Sequence, residues 1–542
     1  MTYQETKSSF KIENNILIND EDAIESECTS IGELILNAFK AKSDFIGQID
    51  ALTGKQNTFQ QMRERSVKCA LWLRKQNVKP GDIIVTCTHN QLESYVPFVA
   101  SMYIDVCINP WNEHSSSGSI EHFFKIVKPK VIFVNGNKAA TILEVATKLG
   151  VSPKIVVFDE TEGFESLESI LNGHFDEAEV DGFSCTTLKK NNIRETTVVL
   201  FSSGTTGLPK AIEIPHTLFT SLSRMEVPPM SPSDVGLWFG SLSWITSVLL
   251  TIHTILSYAT AIKCSGFDCE KVYQMIGKYK VTWMLIETGM CNRLVKSGVL
   301  TRYNISSLKI IIYGGSVNKA ELHENLVKSL PDVLIMPIYG MTETGSISYS
   351  TSTGKFGSSG RICKNNRLMI ADLNTGKPLG PNMHGEICTK SLTMMNGYYR
   401  DPENTKNIFD KDGWFHTGDL GYYDEDGYIF IVDRIKQLIK CKGHQVSPTE
   451  IEILLQSHPS VYESAVVPVP HLFDGQHPTA FVQKMSGAEV TAEELEQLVA
   501  MNMEDYKKLR GGVVFLENIP HVPNGKIDRK QLRNMAEIFK KK

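Results

Sequence analysis

The chain lacks any pattern in its cysteines. All 11 stand singly among 542 residues, with no C-x-x-C pair and no zinc-ligand spacing. This excludes a disulfide framework and a structural zinc module, and it implies reduced thiols in a reducing compartment. A surplus of one charge is also missing: Lys and Arg number 56 against 61 Asp and Glu, a net charge of −5 with the two signs interspersed. No basic field tracks a phosphate backbone, so nucleic acid is not an expected partner. Long apolar runs are absent too. The longest, near residues 248–256, is broken by Thr251, His253 and Thr254 and is too short to span a bilayer. Residues 1–14 hold no apolar core of the signal-peptide kind, and the last residues, Phe539, Lys540, Lys541 and Lys542, differ from a peroxisomal S-K-L address. A cytoplasmic protein is expected. No internal repeat or low-complexity tract interrupts the chain.

What is present is a composition ordinary for a packed globular protein, 42% hydrophobic and 22% charged, in a chain too long for a single core. Residues 58–76 carry apolar side chains at helical spacing (Phe59, Met62, Cys69, Leu73), and residues 82–87 follow as a short buried strand. Helical 93–103 and strands at 131–134 and 154–158 continue the alternation, as do strands at 281–286 and 308–313; such alternation predicts parallel α/β sheets. From Gly354 the texture changes to short strands (368–372, 385–390, 428–432) between glycine and proline turns, the signature of a small barrel or sandwich. After Val432 comes Asp433-Arg434-Ile435-Lys436, then a helix at 448–456 beginning at Ser447, strands at 463–469 and 480–484, and a helix at 492–501. The expected fold is α/β: a large N-terminal domain, residues 1–432, of two doubly wound sheets plus a small β-barrel, and a small mobile α+β lid, residues 433–542.

Residues 198–210, VVLFSSGTTGLPK, are the most informative stretch. An apolar strand opens into Ser202, Ser203, Gly204, Thr205, Thr206 and Gly207, and Pro209-Lys210 close the loop. Small residues let backbone amides approach an anion, hydroxyls add donors, and the lysine adds positive charge. This is chemistry for holding phosphates, but Lys210 follows a proline rather than the second glycine, which disfavours a Walker-type NTPase. Four further motifs follow in order: Tyr339-Gly340-Met341-Thr342-Glu343-Thr344, Thr417-Gly418-Asp419, the stretch 433–452, and Pro523-Asn524-Gly525-Lys526.

With these five motifs in this order, the chain resembles the superfamily of adenylate-forming enzymes: acyl-CoA synthetases, 4-coumarate-CoA ligases, insect luciferases and peptide-synthetase adenylation domains. The resemblance runs over roughly residues 53–530. It implies that ATP activates a small-molecule carboxylic acid, pyrophosphate leaves and an acyl-adenylate remains, so the site needs cations and fixed donors where charge builds on phosphate. Residues 202–210 would grip the β- and γ-phosphates. The resemblance places Thr342 at the α-phosphate and Mg²⁺ on Glu343. Asp419 would accept the ribose hydroxyls with Arg434 assisting, Tyr339 would stack on adenine, and Gly314, Gly315 and Ser316 would bring backbone to the adenine edge.

Lys526, on a turn in the last motif, would bridge the acid carboxylate and the α-phosphate. Lys440 and the loop Lys442-Gly443-His444 would form a second catalytic face. In relatives the lid rotates about a hinge, here Asp433, and brings that face to the adenylate for CoA thiol or for oxygen chemistry. Gln437 departs from an acid that family patterns often carry there. Ser243, Trp244 and Ile245 fall at the acyl pocket, where beetle luciferases carry a His-His-Gly-Phe run. This chain has no histidine there, and the segment reads equally as a pocket wall or as a buried core helix. Two activities stay open on these residues: a fatty or aryl acid:CoA ligase, and a luciferase that oxidises its adenylate with O₂. A nucleotide-sensing protein without catalysis is disfavoured by the presence of Lys210, Glu343, Asp419, Arg434 and Lys526, and a peptide-synthetase module by the absence of a carrier domain after Lys526. A monomer or weak dimer is expected.

Overall fold

The computed structural model describes residues 10–19, 30–186, 194–202, 208–221, 230–297, 303–350, 354–522 and 526–539. The expected helix near residue 58 forms as Phe59–Lys75, because Thr58 and Gln61 cap each other's backbone amides reciprocally and satisfy its first turn. The strand after it, Ile83–Cys87, is buried throughout and sits in an eight-stranded sheet. Parallel neighbours Cys107–Trp111 and Val131–Val134 flank it. Burial on both faces explains why these strands read as continuous apolar runs. One face packs on helices Ile31–Ala41, Phe59–Lys75 and Tyr95–Tyr103, the other on Phe123, Phe124, Ile142 and Ala146.

A second, nine-stranded sheet repeats the plan. Strands Val235–Trp238, Thr260–Lys263, Trp283–Glu287, Ile310–Gly314 and the first half of Leu334–Met341 run parallel. One face is covered by helices Cys269–Tyr279, Thr288–Lys296 and Ala320–Ser329, and on the other Trp238, Trp283 and Ile312 meet Leu250 of helix Ile245–Leu256. Both large sheets are therefore doubly wound. In parallel sheets of this kind ligands collect at the carboxyl ends of the strands, and Ser202, Gly314 and Tyr339 lie at or near such ends.

The short strands expected beyond Gly354 form a six-stranded antiparallel sheet with Asn366–Ala371, Gly385–Ser391, Phe415–Tyr423 and Ile429–Arg434. The N-terminal hairpin Lys11–Glu13 and Ile16–Asn19, for which no expectation was drawn, completes it by pairing Leu17 with Leu368. Leu17, Ile347, Ile362, Leu368, Ile387 and Ile429 share one core inside it, in the manner of a small barrel. The six-stranded sheet ends at Arg434, and a five-stranded sheet begins at Ile439–Cys441. Helix Pro448–Gln456 starts where expected, because Ser447 accepts the Glu450 amide and proline occupies the first turn. The chain is thus mixed α/β, with a large N-terminal part and a small C-terminal part. Among the described residues no helix is long and apolar enough to cross a membrane, and ten free cysteines are described.

One ion pair holds the C-terminal part together. Arg529 meets both oxygens of Glu452 at 2.6 and 2.9 Å, while Glu452 also accepts the Val466 amide at 2.7 Å and Arg529 donates to Val466 O at 2.8 Å. Glu452 is 4% exposed. Removing one partner of a buried pair strands the other charge at a cost of about 3–5 kcal/mol. Glu452→Ala should therefore lower the unfolding free energy of the C-terminal part, read by urea denaturation, by that order, while Glu452→Gln, which keeps an acceptor, costs less. Equal midpoints for the wild type and Glu452→Ala would contradict this account.

Candidate functional site

The site is built around Asp419. Strand Phe415–Tyr423 alternates buried and half-buried residues, and this period of two turns Asp419 inward. Thr417 accepts the Asp419 amide at 3.1 Å and donates to Ile387 O at 2.7 Å, while Gly418, at φ +71°, makes a turn that favours glycine. Arg434 lies opposite in register and reaches Asp419 Oδ1 through Nε at 2.6 Å; the Tyr339 hydroxyl donates to Oδ2 at 2.8 Å. Burial pushes the Asp419 carboxyl up, while Arg434, Tyr339 and Lys526 pull it down. An ionised carboxylate offers about four lone-pair sites, so acceptor capacity remains after both contacts.

Lys526 faces this carboxylate. Val522 donates its amide to Lys526 O at 2.8 Å and His521 bridges Ile527, which closes the turn that presents the side chain. Burial and the Arg434 charge push the Lys526 ammonium below its ordinary value, opposed by Glu287, Asp419 and Glu343. Glu343, 7% exposed, is pushed up by burial and stabilised by Arg434 and Lys210. The Tyr398 phenol faces the same carboxylate, which together with burial raises it. Lys210 stands 4.5 Å over the Tyr398 ring and donates to Asn404 Oδ1 at 2.9 Å, and its strand register pairs it with Ser202. Residues far apart in sequence thus share one field: Lys210, Glu343, Asp419, Arg434 and Lys526. The buried Glu343 carboxylate offers the hard oxygen donors that Mg²⁺ takes.

The glycines near the site have steric causes. A side chain on Gly314 would meet Ile338 O at 2.5 Å, and one on Gly340 would meet Gly345 O at 2.2 Å. Gly315 has φ +92° and precedes Ser316. Thr342 is half-buried in the turn after strand Leu334–Met341. Ser203, Gly204, Thr205, Thr206 and Gly207 lie outside the described residues, as do Pro523, Asn524 and Gly525.

The Tyr339 hydroxyl is engaged by Asp419. Ile245 is buried in the helical core, whereas Ser243 and Trp244 are half-buried at the start of helix Ile245–Leu256. Asp433, expected at a hinge, is 2% exposed and accepts from Ser447 Oγ (2.5 Å), the Thr449 amide (3.0 Å) and the Arg434 amide (2.7 Å), so it ties the strand to the next helix. Lys440 is exposed and its amide donates to Gln476 at 2.9 Å; Lys442 and Gly443, at φ +50° and +80°, make a two-residue turn in which His444 stacks on Tyr506 at 4.1 Å. Lys440, Lys442, Gly443 and His444 belong to the five-stranded sheet and its neighbours, outside the cluster of Lys526.

Residues 40–399 match the family model of the AMP-binding enzyme, and residues 450–526 match that of the AMP-binding enzyme C-terminal domain. The chain belongs to the AMP-binding, adenylate-forming enzyme family. It is 32% identical over 511 residues to a luciferin 4-monooxygenase of Luciola mingrelica, covering 92% of this chain and 93% of that one. It is 31% identical over 506 residues to 4-coumarate–CoA ligase 4 of Arabidopsis thaliana, covering 91% and 88%. Its structure is similar to that of a luciferase-like enzyme from the nonluminescent mealworm Zophobas morio, with TM-score 0.71 and 28% identity over 77% of this chain and 99% of that one. It shares the fold of ATP-bound MatB from Rhodopseudomonas palustris at TM-score 0.84 and 24% identity over 94% and 100% of the two chains.

Within this AMP-binding enzyme, four residues near the cluster lay outside the sequence expectations. Tyr398 and Asn404 carry no local pattern and are recruited only by tertiary packing around Lys210. His521 likewise carries no local pattern, and only Glu287 left a trace: a carboxylate ending the otherwise apolar strand Trp283–Glu287. Beside the acyl segment, Trp238 pairs in register with Lys263, whose Nζ is 2.8 Å from Asn90 Oδ1 and 5.1 Å from the Trp238 ring. A buried lysine thus stands beside Trp238, pushed down to about 7 by burial.

Burial raises Glu287 from an ordinary 4.5 to about 7, with Lys526 and His521 opposing. A carboxyl raised in the folded state is favoured there as the acid, so its contribution to stability is present below about pH 4.5 and is lost as pH rises to about 7. Glu287→Gln should flatten the fall in stability across that window. Unchanged pH dependence of the thermal midpoint would show that Glu287 is not held in its acid form.

Proposed function

We propose that this chain uses ATP to convert a carboxylic acid into an acyl-adenylate and then transfers the acyl group to CoA as a thioester. The observation that carries this reading is the convergence of Lys526, Arg434 and Lys210 on the buried carboxylates of Asp419 and Glu343 from five separate stretches of chain. The acid's carboxylate attacks the α-phosphate and pyrophosphate leaves. Lys526, exposed at the rim of this field, would neutralise the carboxylate and the α-phosphate oxygens as charge builds between them, and a cation preorganised there acts with little reorganisation. Lys210 and Ser202, with Ser203 to Gly207, would hold the outgoing phosphates, and Thr342 the α-phosphate. Glu343 would hold Mg²⁺, which supplies charge neutralisation on the phosphate oxygens.

Asp419 would accept the ribose hydroxyls, kept ionised by Arg434, and Tyr339 with Gly314, Gly315 and Ser316 would frame the adenine. Ser243 and Trp244 would begin the acyl pocket. The lid would be residues 433–542, hinged at Asp433. Its exposed face, Lys440 with Lys442, Gly443 and His444, would act only after rotation, which accounts for its distance from the Lys526 cluster. A second reading, a luciferase oxidising its adenylate with O₂, is favoured by the likeness to luciferin 4-monooxygenases. It shares every residue of the first step.

The two faces can be separated by half-reaction. Lys526→Ala should slow acid-dependent pyrophosphate release by on the order of a hundredfold or more, the scale of one lost transition-state contact, yet still convert preformed acyl-adenylate. Gly443→Trp should release pyrophosphate normally and fail at the second step. Normal pyrophosphate release by Lys526→Ala would remove that lysine from the first step.

The product decides between the readings. A panel of fatty, aryl-propenoic and luciferin acids, assayed for pyrophosphate release with and without CoA and read in a luminometer, should give thioesters from several acids. An apolar wall discriminates neighbouring chain lengths by only about 1–3 kcal/mol per methylene. Bright emission with beetle luciferin and failure on every other acid would replace the ligase with the luciferase.

A further inference from the structure

The five-stranded sheet carries a group of side chains that adenylation does not use. Strands Val461–His471 and Gly475–Lys484 form a hairpin in which His471 pairs with Gly475 and Val469 with His477. His471 and His477 are therefore diagonal neighbours on one face of the ribbon, within reach of each other. Their rings stack with centroids 3.9 Å apart. Asp474, in the intervening turn, places Oδ2 2.7 Å from His477 Nε2 and 3.7 Å from His471 Nδ1. One ligand atom from each of the three lies within 4.8 Å of the others. We propose that His471, Asp474 and His477 form a binding site for a divalent transition-metal ion of the zinc class.

The spacing suits that chemistry. Tetrahedral zinc with bonds of about 2.0–2.1 Å keeps its ligand atoms roughly 3.3 Å apart, and the two separations at Asp474 bracket this value. Two imidazoles and a carboxylate select Zn²⁺, Cu²⁺ or Ni²⁺ over Mg²⁺ and Ca²⁺, and three protein ligands leave a position for water. The metal would take the place of the hydrogen bond between His477 Nε2 and Asp474 Oδ2. Its other competitor is one backbone donor, the Asp474 amide, 3.1 Å from His471 Nδ1. The site is open to solvent through the side chains of His471 and Asp474, which are 31% and 23% exposed.

The same turn is attached to the strand that bears Lys440. Lys440 donates its amide to Gln476 Oε1 at 2.9 Å, Lys442 donates its amide to Asp474 O at 2.9 Å, and Cys441 pairs with Gly475. A metal that pins Asp474 and His477 would pin these amides with them.

The test uses the full-length protein and Zn²⁺ alone, titrated against a chromophoric chelator. One Zn²⁺ should bind per chain at pH 7.5 and be released as pH falls through the histidine range, because imidazole ligands must be deprotonated. His471→Ala, Asp474→Asn and His477→Ala should each weaken binding by on the order of ten- to a hundredfold or more. His471→Ala removes a partly exposed ring, so it keeps the test sound if the more buried His477→Ala unfolds. Cys388→Ser, which breaks the other candidate cluster of Glu386, Cys388 and His416, should leave binding unchanged. Hydrogen exchange at the Lys440 and Lys442 amides should slow several-fold with Zn²⁺ in the wild type and not in His471→Ala. Binding that survives the histidine changes, loss on Cys388→Ser alone, or unprotected amides would overturn the proposal.

Discussion

The Asp419 carboxylate is the constraint on which the site depends. An ionised carboxylate at 3% exposure is costly unless it is paired and hydrogen-bonded. Here the compensation comes from different units of the chain: Arg434 from the neighbouring strand, Tyr339 from the edge of the nine-stranded sheet, and Lys526 from the C-terminal part. One buried charge therefore ties together three elements, two of which also share an apolar core through Ile347 and Ile429. The same desolvation acts on the partners. Burial pushes Glu343 towards neutrality and Arg434 and Lys210 draw it back, while Lys526 is pushed down and drawn back by Glu287, Asp419 and Glu343, so each depends on the rest of the cluster for its ionised form. Such mutual dependence makes single-residue effects strongly non-additive.

Holding Lys526 in that field requires a rigid base, and the Glu452–Arg529 pair provides one three residues further along. Arg529 is fastened to helix Pro448–Gln456 and to strand Val461–His471 at once. That helix in turn has its first turn tied to Asp433. Buried polar contacts thus join Arg529 to Glu452, the start of that helix to Asp433, and Arg434 to Asp419, with Lys526 three residues before Arg529 in the chain. Buried polar contacts of this kind are expensive when broken.

Most of this framework was legible before the fold. Thr58 with Gln61 and Ser447 with Pro448 announce helix starts by capping chemistry that is local in sequence, and the buried parallel strands announce themselves as apolar runs. Two site glycines were legible for the same reason: Gly340 and Gly418 answer steric or backbone demands that hold within a few residues, whereas Gly314 answers to Ile338 on the neighbouring strand. What escaped is what only three dimensions can supply. Tyr398 and Asn404 converge on Lys210 from nearly two hundred residues away, the hairpin 11–19 closes a sheet built from residues beyond 360, and Ile245 is drawn into the core by the helix it begins. Glu287 shows the middle case, a polar residue breaking an apolar strand whose consequence appears only when Lys526 is brought beside it.

The two candidate activities part beyond the shared first step, and the structure shows why sequence motifs cannot separate them. On the proposed assignment every residue in the Asp419 field serves the phosphates, the ribose or the reacting carboxylate, which both chemistries present identically. The surfaces that would discriminate on that assignment are elsewhere. One is the exposed turn of Lys442, Gly443 and His444, whose conformation is set by positive φ and not by any substrate. The other is the acyl wall, where Trp244 is half-buried and Lys263 with Asn90 stands behind Trp238. Lys263 donates to Asn90 Oδ1 beside the Trp238 ring, and burial pushes its ammonium down to about 7. If the segment at Ser243 and Trp244 is the acyl wall, as proposed, its apolar area has this desolvated lysine in the neighbouring strand and not within the wall itself.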